Sequence, residues 1–318
     1  MLILRSVVLT ISIGVLVLGA RLVAGQTYPD KPIRIVAAAA GGGADYGVRL
    51  IVPGLSARLG QQVIVDNRGF TAIEVAAKAA PDGYTLLYYG STVWLMPLMQ
   101  EVPYDPVRDL AAITLVNGQP SVLAVHPSLP VRSVRQLIAL AKARPGDLNY
   151  ASGPTGSSGH MAGELFKAMA GVNIVRVPYK GTGPSTLAVL TGEVHLTFIT
   201  TGAVAPHLKS GRLRALAVTS GQRSALVPDL PTVSASGVPG YESVVLAGIF
   251  APAKTSAAII NRLSQEIVRV INSADVKEKF LDTGAEIIGG TPEQFAATIK
   301  SEMTRMGKVV KEAGIRAD

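Results

Sequence analysis

Hydrophobic positions in this chain fall into short runs and helical stripes that alternate along its length. Ile33–Ala37 reads as a strand, followed by glycines 41–43 and an amphipathic stretch Asp45–Leu59 that Gly60 stops. Val63–Asp66 is the next strand. A helix Ala72–Ala80 follows, broken by Pro81-Asp82-Gly83, and a strand Tyr84–Tyr89 leads into Gly90-Ser91-Thr92. The rhythm continues through Leu148–Ala151, Met161–Ala170, Ile174–Val177, Thr186–Leu190, Val194–Ile199 and Leu213–Thr219. Strands that feed helices through short polar turns predict an α/β protein with largely parallel sheets. Two helix starts, Ser133 to Gln136 and Thr291 to Gln294, have the capping-box spacing, the second with proline in the first helical position. The stripes Ile259, Ile260, Leu263, Ile267, Ile271 and Phe295, Ile299, Met303, Met306, Val310 read as core.

A change of unit is expected at Val122–Val125, just before His126-Pro127. The segment after Tyr241 is too small for a domain and is expected to return to the first unit. The expected architecture is two lobes, 26–122 with 241–318, and 123–240. Each would hold a mixed, mostly parallel sheet flanked by helices, with two crossings and a cleft between them.

Residues 1–25 stand apart. Arg5, the apolar run Val7–Ala20 and the small residues before Gln26 form a secretory signal peptide pattern. The apolar run is shorter than the roughly 20 residues needed to span a bilayer. A cleaved leader and a periplasmic mature chain are therefore expected. The 318 residues contain no cysteine, which excludes disulfides, iron–sulfur clusters and thiol catalysis. Thirty basic residues against 22 acidic give +8, but the basic residues are scattered and not interleaved with aromatics, which argues against nucleic acid.

Three turns carry candidate chemistry: Gly41 to Asp45, Gly90-Ser91-Thr92, and Ser152 to His160. Each follows a strand. Glycine lets the backbone approach a ligand, and the N–H groups at a helix start point at an anion. Hydroxyls of Ser91, Thr92, Thr155, Ser157 and Ser158 add neutral donors, a set suited to a carboxylate or phosphate without metal or cofactor. Nucleotide motifs fail on spacing: the first turn is not G-x-G-x-x-G, and no G-x-x-x-x-G-K-[ST] occurs. Ser158 with a histidine leaves a secreted serine hydrolase open as an alternative, though Ser157 to His160 lacks the G-x-S-x-G elbow. His160 and Glu164 have the spacing of a metal pair, but an ordinary helix-surface contact explains them more simply. Asp45 reads as a helix-start cap. Tyr179-Lys180-Gly181 is a further candidate beside a turn.

A series of short words then occurs in order: Tyr28 to Ile33, Leu59-Gly60-Gln61, Val65 to Arg68, Ala79 to Thr85, Pro103 to Pro106, Gly159 to Phe166, Val177 to Gly181, Gly211 to Thr219, Leu230-Pro231-Thr232 and Gly237 to Tyr241. Together these resemble the Bug/TctC family, the solute receptors of tripartite tricarboxylate transporters, over residues 27–316. The resemblance implies a two-lobed periplasmic binding protein of the type II kind, not an enzyme. It would be a monomer that closes on a small organic carboxylate and delivers it to the membrane components of its transporter, or serves a sensor instead. The site residues it implies are Ala40, Gly42, Ala44, Asp45, Ser91, Thr92, Thr155, Gly156, Ser158 and His160. It also implies Ile199, where many members carry aspartate. The chain departs from the family pattern there, at Ala37 to Ala40, where a proline-rich lead is usual, and at Gly69-Phe70-Thr71, where the loop is usually longer.

Overall fold

The computed structural model describes residues 28–40 and 43–316; the leader pattern and Gly42 lie outside the described residues. Strand β1 (Ile33–Ala37) buries four of its five side chains and pairs in parallel with β2 (Val63–Asn67) and β3 (Thr85–Gly90). Helices α1 (Gly43–Leu59) and α2 (Thr71–Ala77) connect these strands, and a short helix α3 (Thr92–Leu95) follows β3. Strand β4 (Leu110–Val125) is 16 residues long. After it come α4 (Val134–Ala143), β5 (Asn149–Ser152), α5 (Ser158–Ala170), β6 (Val175–Pro178), α6 (Thr182–Leu190), β7 (Leu196–Thr200), α7 (Thr201–Lys209) and β8 (Arg214–Val218). The chain closes with β9 (Val244–Pro252), α8 (Ala257–Ile271), α9 (Ala274–Asp282), β10 (Glu286–Ile287) and α10 (Pro292–Glu312).

The strands form one curled ten-stranded sheet in the order β2-β1-β3-β9-β4-β7-β5-β6, with β8 and β10 also paired to β4. The parallel pairs lie toward its two ends, and every pair made by β4 or β9 is antiparallel. Up to Pro120, β4 bonds to β9; from Ser121 onward it bonds to β7, and from Val122 to β8. Val122–Val125 is thus the tail of a strand that serves both halves of the sheet. The chain crosses a second time between β8 and β9, where Ser243 N–H donates to the carbonyl of Thr219.

Each half has its own core. Ile35, Val48, Ile51, Leu55, Ile249 and Leu263 fill one, while Leu123, Tyr150, Phe166, Phe198 and Tyr241 fill the other. Helix α5 reaches β5 closely enough that only glycine fits at 163, because a Cβ there would stand 2.3 Å from the Tyr150 ring. Helix α10 lies along both halves. Phe295 packs on Trp94 and Phe250, with ring centroids 5.9 and 4.9 Å away, whereas Met306, Val309 and Val310 complete the core around Phe166. Its start is a full capping box: Gln294 N–H donates to Thr291 Oγ1 at 3.3 Å and Thr291 N–H to Gln294 Oε1 at 2.9 Å. At α4 the box opens by one residue. Ser133 Oγ caps Gln136 N–H, but Gln136 Oε1 takes the N–H of Arg132 at 2.6 Å.

Candidate functional site

The strand ends after β3 and β5 are held by bonds that fix the turns beyond them. Ser91 N–H donates to the Leu246 carbonyl at 2.8 Å, which locks the β3 turn against β9. Beyond β5, Ser157 N–H closes a turn on the Pro154 carbonyl at 3.0 Å, and Gly156 takes φ 78°, a left-handed conformation that costs other residues a steric penalty. Arg176 on β6 braces this turn from behind. It donates from Nε to Ser152 Oγ at 2.8 Å, from one terminal nitrogen to Thr155 Oγ1 at 3.2 Å, and from the other to the Gly153 carbonyl at 3.0 Å. His160 braces it from α5, where Nδ1 accepts the Gly156 N–H at 3.0 Å. Burial pushes His160 down to about 4, and the Arg176 charge adds to the shift. The ring is therefore neutral near pH 7, with its proton on Nε2. Ser157 is the N-cap residue of α5, yet its Oγ makes no cap bond and is buried without a partner among the described residues.

These turns face one cavity of about 360 Å³. Ser91, Thr92, Thr155, Gly156, Ser157 and Ser158 line it, joined by Ser121 of β4, by Ser243 and by Val244 and Val245 at the start of β9. Leu95, Met96, Met99, Met161 and Met306 give it an apolar belly, Phe70 stands at its edge, and Glu302 and Arg305 of α10 close it. Two chambers adjoin. One of about 560 Å³ shares Val245 and is lined by Ala44, Tyr46, Tyr88, Gln119 and Thr283; one of about 80 Å³ shares Pro154, Ser157 and Ser158 and is lined by Ile199 and Thr200.

Of the residues singled out in the sequence, Ser91, Thr92, Thr155, Gly156 and Ser158 meet in the first cavity. Ala44 lines the second chamber and Ile199 the third. Ala40 is exposed and lines none of the three. Asp45 is buried, its carboxylate accepting from Arg49 Nε at 2.8 Å and Asn67 Nδ2 at 2.9 Å. His160 stands behind the turn. Its neighbour in the metal-pair reading, Glu164, accepts from Tyr150 Oη at 2.7 Å and is ion-paired with Lys167.

Arg176, Ser121, Ser243, Glu302 and Arg305 were not anticipated. They come from β6, β4, the approach to β9 and α10, and nothing in their spacing ties them to the turns. Only the i, i+3 pair Glu302–Arg305 was legible as a unit. Among the described residues no histidine bonds to Ser158: His126 Nδ1 pairs with Ser128 Oγ at 2.7 Å and His195 Nδ1 with Asn149 Oδ1 at 2.7 Å, while His160 holds Gly156.

Residues 48–315 match the tripartite tricarboxylate transporter family receptor, TctC. The chain belongs to this family. Protein BugT of Bordetella pertussis is 37% identical over 302 residues, which covers 92% of this receptor and 93% of BugT. Among solved structures, R. palustris Rpa4515 with adipate is 36% identical with a TM-score of 0.73, covering 92% of this receptor and 100% of that chain. MatC from Rhodopseudomonas palustris with bound malate is 27% identical with a TM-score of 0.68, covering 89% and 100%. The resemblance read from the sequence and its two-lobed α/β fold are thus borne out. TctC proteins are solute-binding receptors, not enzymes, and the hydrolase alternative falls away.

Proposed function

We propose that this receptor captures a small organic carboxylate in the cavity between the β3 and β5 turns and passes it to the membrane components of a tripartite tricarboxylate-type transporter. The observation that carries this reading is the β5–α5 turn, which Arg176 and His160 hold in place and whose Thr155, Ser157 and Ser158 hydroxyls at the start of α5 share one cavity with Ser91 and Thr92. Peptide dipoles at a helix start favour an anion, and each hydrogen bond to a charged group nets about 1.5–3 kcal/mol. A few such bonds support affinity in the micromolar range, which corresponds to roughly 8 kcal/mol. The carboxylates held by the adipate- and malate-bound relatives agree with this chemistry. The lobes, 26–122 with 241–318 and 123–240, close over the ligand to exclude water. The leader pattern supports a periplasmic receptor, and no described helix is long and apolar enough to cross a membrane.

A thermal-shift panel of mono-, di- and tricarboxylates tests the binding step. At least one acid raises Tm in a concentration-dependent way, and its fully amidated analogue, lacking any carboxylate, does not. A flat response across the acids would remove the reading. Delivery is tested by deleting the receptor in its host, which should abolish uptake of the acid that binds.

A further inference from the structure

The cavity offers favourable surroundings for one anion and an apolar remainder. Among the described residues that line it and its two adjoining chambers, Glu302 and Arg305 are the only ones with charged side chains. They stand one helical turn apart on α10, largely withdrawn from water, and form an ion pair with each other. As a unit the pair is neutral. A second ligand carboxylate that sought Arg305 would lie beside Glu302 as well, so attraction and repulsion largely cancel. Drawing Arg305 away would leave a buried carboxylate without its partner, which is strongly unfavourable. Ser121 and Ser243 add hydroxyls to the lining, but neither stands at a helix start. The β5 turn differs on both counts. It opens α5, and the Arg176 guanidinium lies behind it, bonded to Ser152, Gly153 and Thr155.

Beyond that turn the walls change character at once. A Cβ on Gly156 would stand 3.2 Å from Met99 Cε, so the methionine abuts the turn itself. Leu95, Met96, Met161 and Met306 continue the apolar surface, and the exposed Phe70 stands at the rim. Methionine side chains adapt to the shape of an apolar guest and make favourable contacts with aromatic rings. With the lobes closed, a carboxylate carried into this region would give up its water without meeting a free cation, and burying an unpaired charge is costly. Methylene or ring carbon gains by the same burial.

We propose that the receptor selects organic acids with a single carboxylate and an apolar body, and discriminates against di- and tricarboxylates. This rests on the carboxylate-capture reading above. The test is calorimetric titration of the full chain with size-matched pairs: butyrate and succinate, hexanoate and adipate, octanoate and suberate, 4-methylbenzoate and terephthalate. Acetate and citrate mark the two extremes. In the pair that binds best, the monoacid is expected to bind about tenfold or more tightly than the diacid, and more tightly than acetate or citrate. Glu302→Gln frees Arg305 to receive a second carboxylate and should shrink the monoacid-over-diacid ratio severalfold. A diacid, citrate or acetate that binds the wild type as tightly as the best monoacid overturns the proposal, even if the Glu302 variant fails to fold. An unchanged ratio in a folded Glu302→Gln protein overturns it too. If no acid binds, the capture reading itself fails, whereas parity between monoacid and diacid leaves capture standing and removes this inference alone.

Discussion

The turns that follow β1 and β5 occupy equivalent places in their halves of the sheet, yet they are held in opposite ways. The β5 turn is tied near its tip, where Arg176 reaches Ser152, Gly153 and Thr155 and His160 holds the Gly156 N–H. The β1 turn is tied at its base. Asn67 Nδ2 donates to the Ala38 carbonyl at 2.7 Å and to Asp45, and Arg49 closes the triangle by reaching both Asp45 and Asn67 Oδ1. Ala39 and Ala40 then stand exposed, with side chains that cannot hydrogen-bond. Under the proposed capture, the β5 turn would meet a ligand with its ordering costs already met, whereas Ala39 and Ala40 would offer only backbone.

The sharpest way to break this comparison is Arg176→Met, which deletes three bonds behind the β5 turn. Carboxylate affinity is expected to fall by roughly tenfold or more, read by titration calorimetry, since tenfold corresponds to only about 1.4 kcal/mol. Asn67→Ala removes the ties at the base of the β1 turn. It should cost about 1–2 kcal/mol in urea unfolding while affinity changes less than about threefold. Equal affinity losses in the two variants would erase the distinction. A third test turns on His160. Between about 4 and its ordinary 6.5, the unfolded chain binds a proton that the buried ring refuses. Stability therefore falls as pH drops through that window and levels off below it. His160→Gln, which keeps an acceptor near Gly156, should flatten that part of the unfolding-midpoint profile. Identical slopes for the two proteins would show that the ring does not carry the effect.

Much of the fold was legible because its periods are local. β1 has the predicted bounds, Gly60 follows directly on α1, and the Thr291 capping box forms as its spacing implies. The length of β4 was hidden. Asn117, Gly118 and Pro120 are turn formers, but here pairing keeps them extended, with β9 and β10 at Asn117 and Gly118 and with β9 at Pro120. Proline, which lacks a donor, sits at the last register position with β9 before the strand changes partners at Ser121. Helix α7 also escaped, because its nine residues follow β7 without any intervening turn. At the site, hydroxyls and glycine at strand ends were readable since strand-to-helix turns announce themselves. Arg176 and Arg305 were not. Each reaches the cavity or its turn through tertiary packing, and in the sequence each resembles the other scattered cations.

Helix α10 has a bearing on how a new copy of this protein matures. The core that Leu123 begins includes Met306, Val309, Val310 and Ile315. Nearly two hundred residues of synthesis separate Leu123 from Ile315, so this half stays unsealed until synthesis has passed Ile315. A chain that stopped at residue 306 would carry every described strand and every residue lining the first cavity, yet leave a raw apolar face to water, and quality control would meet it as an unfinished product.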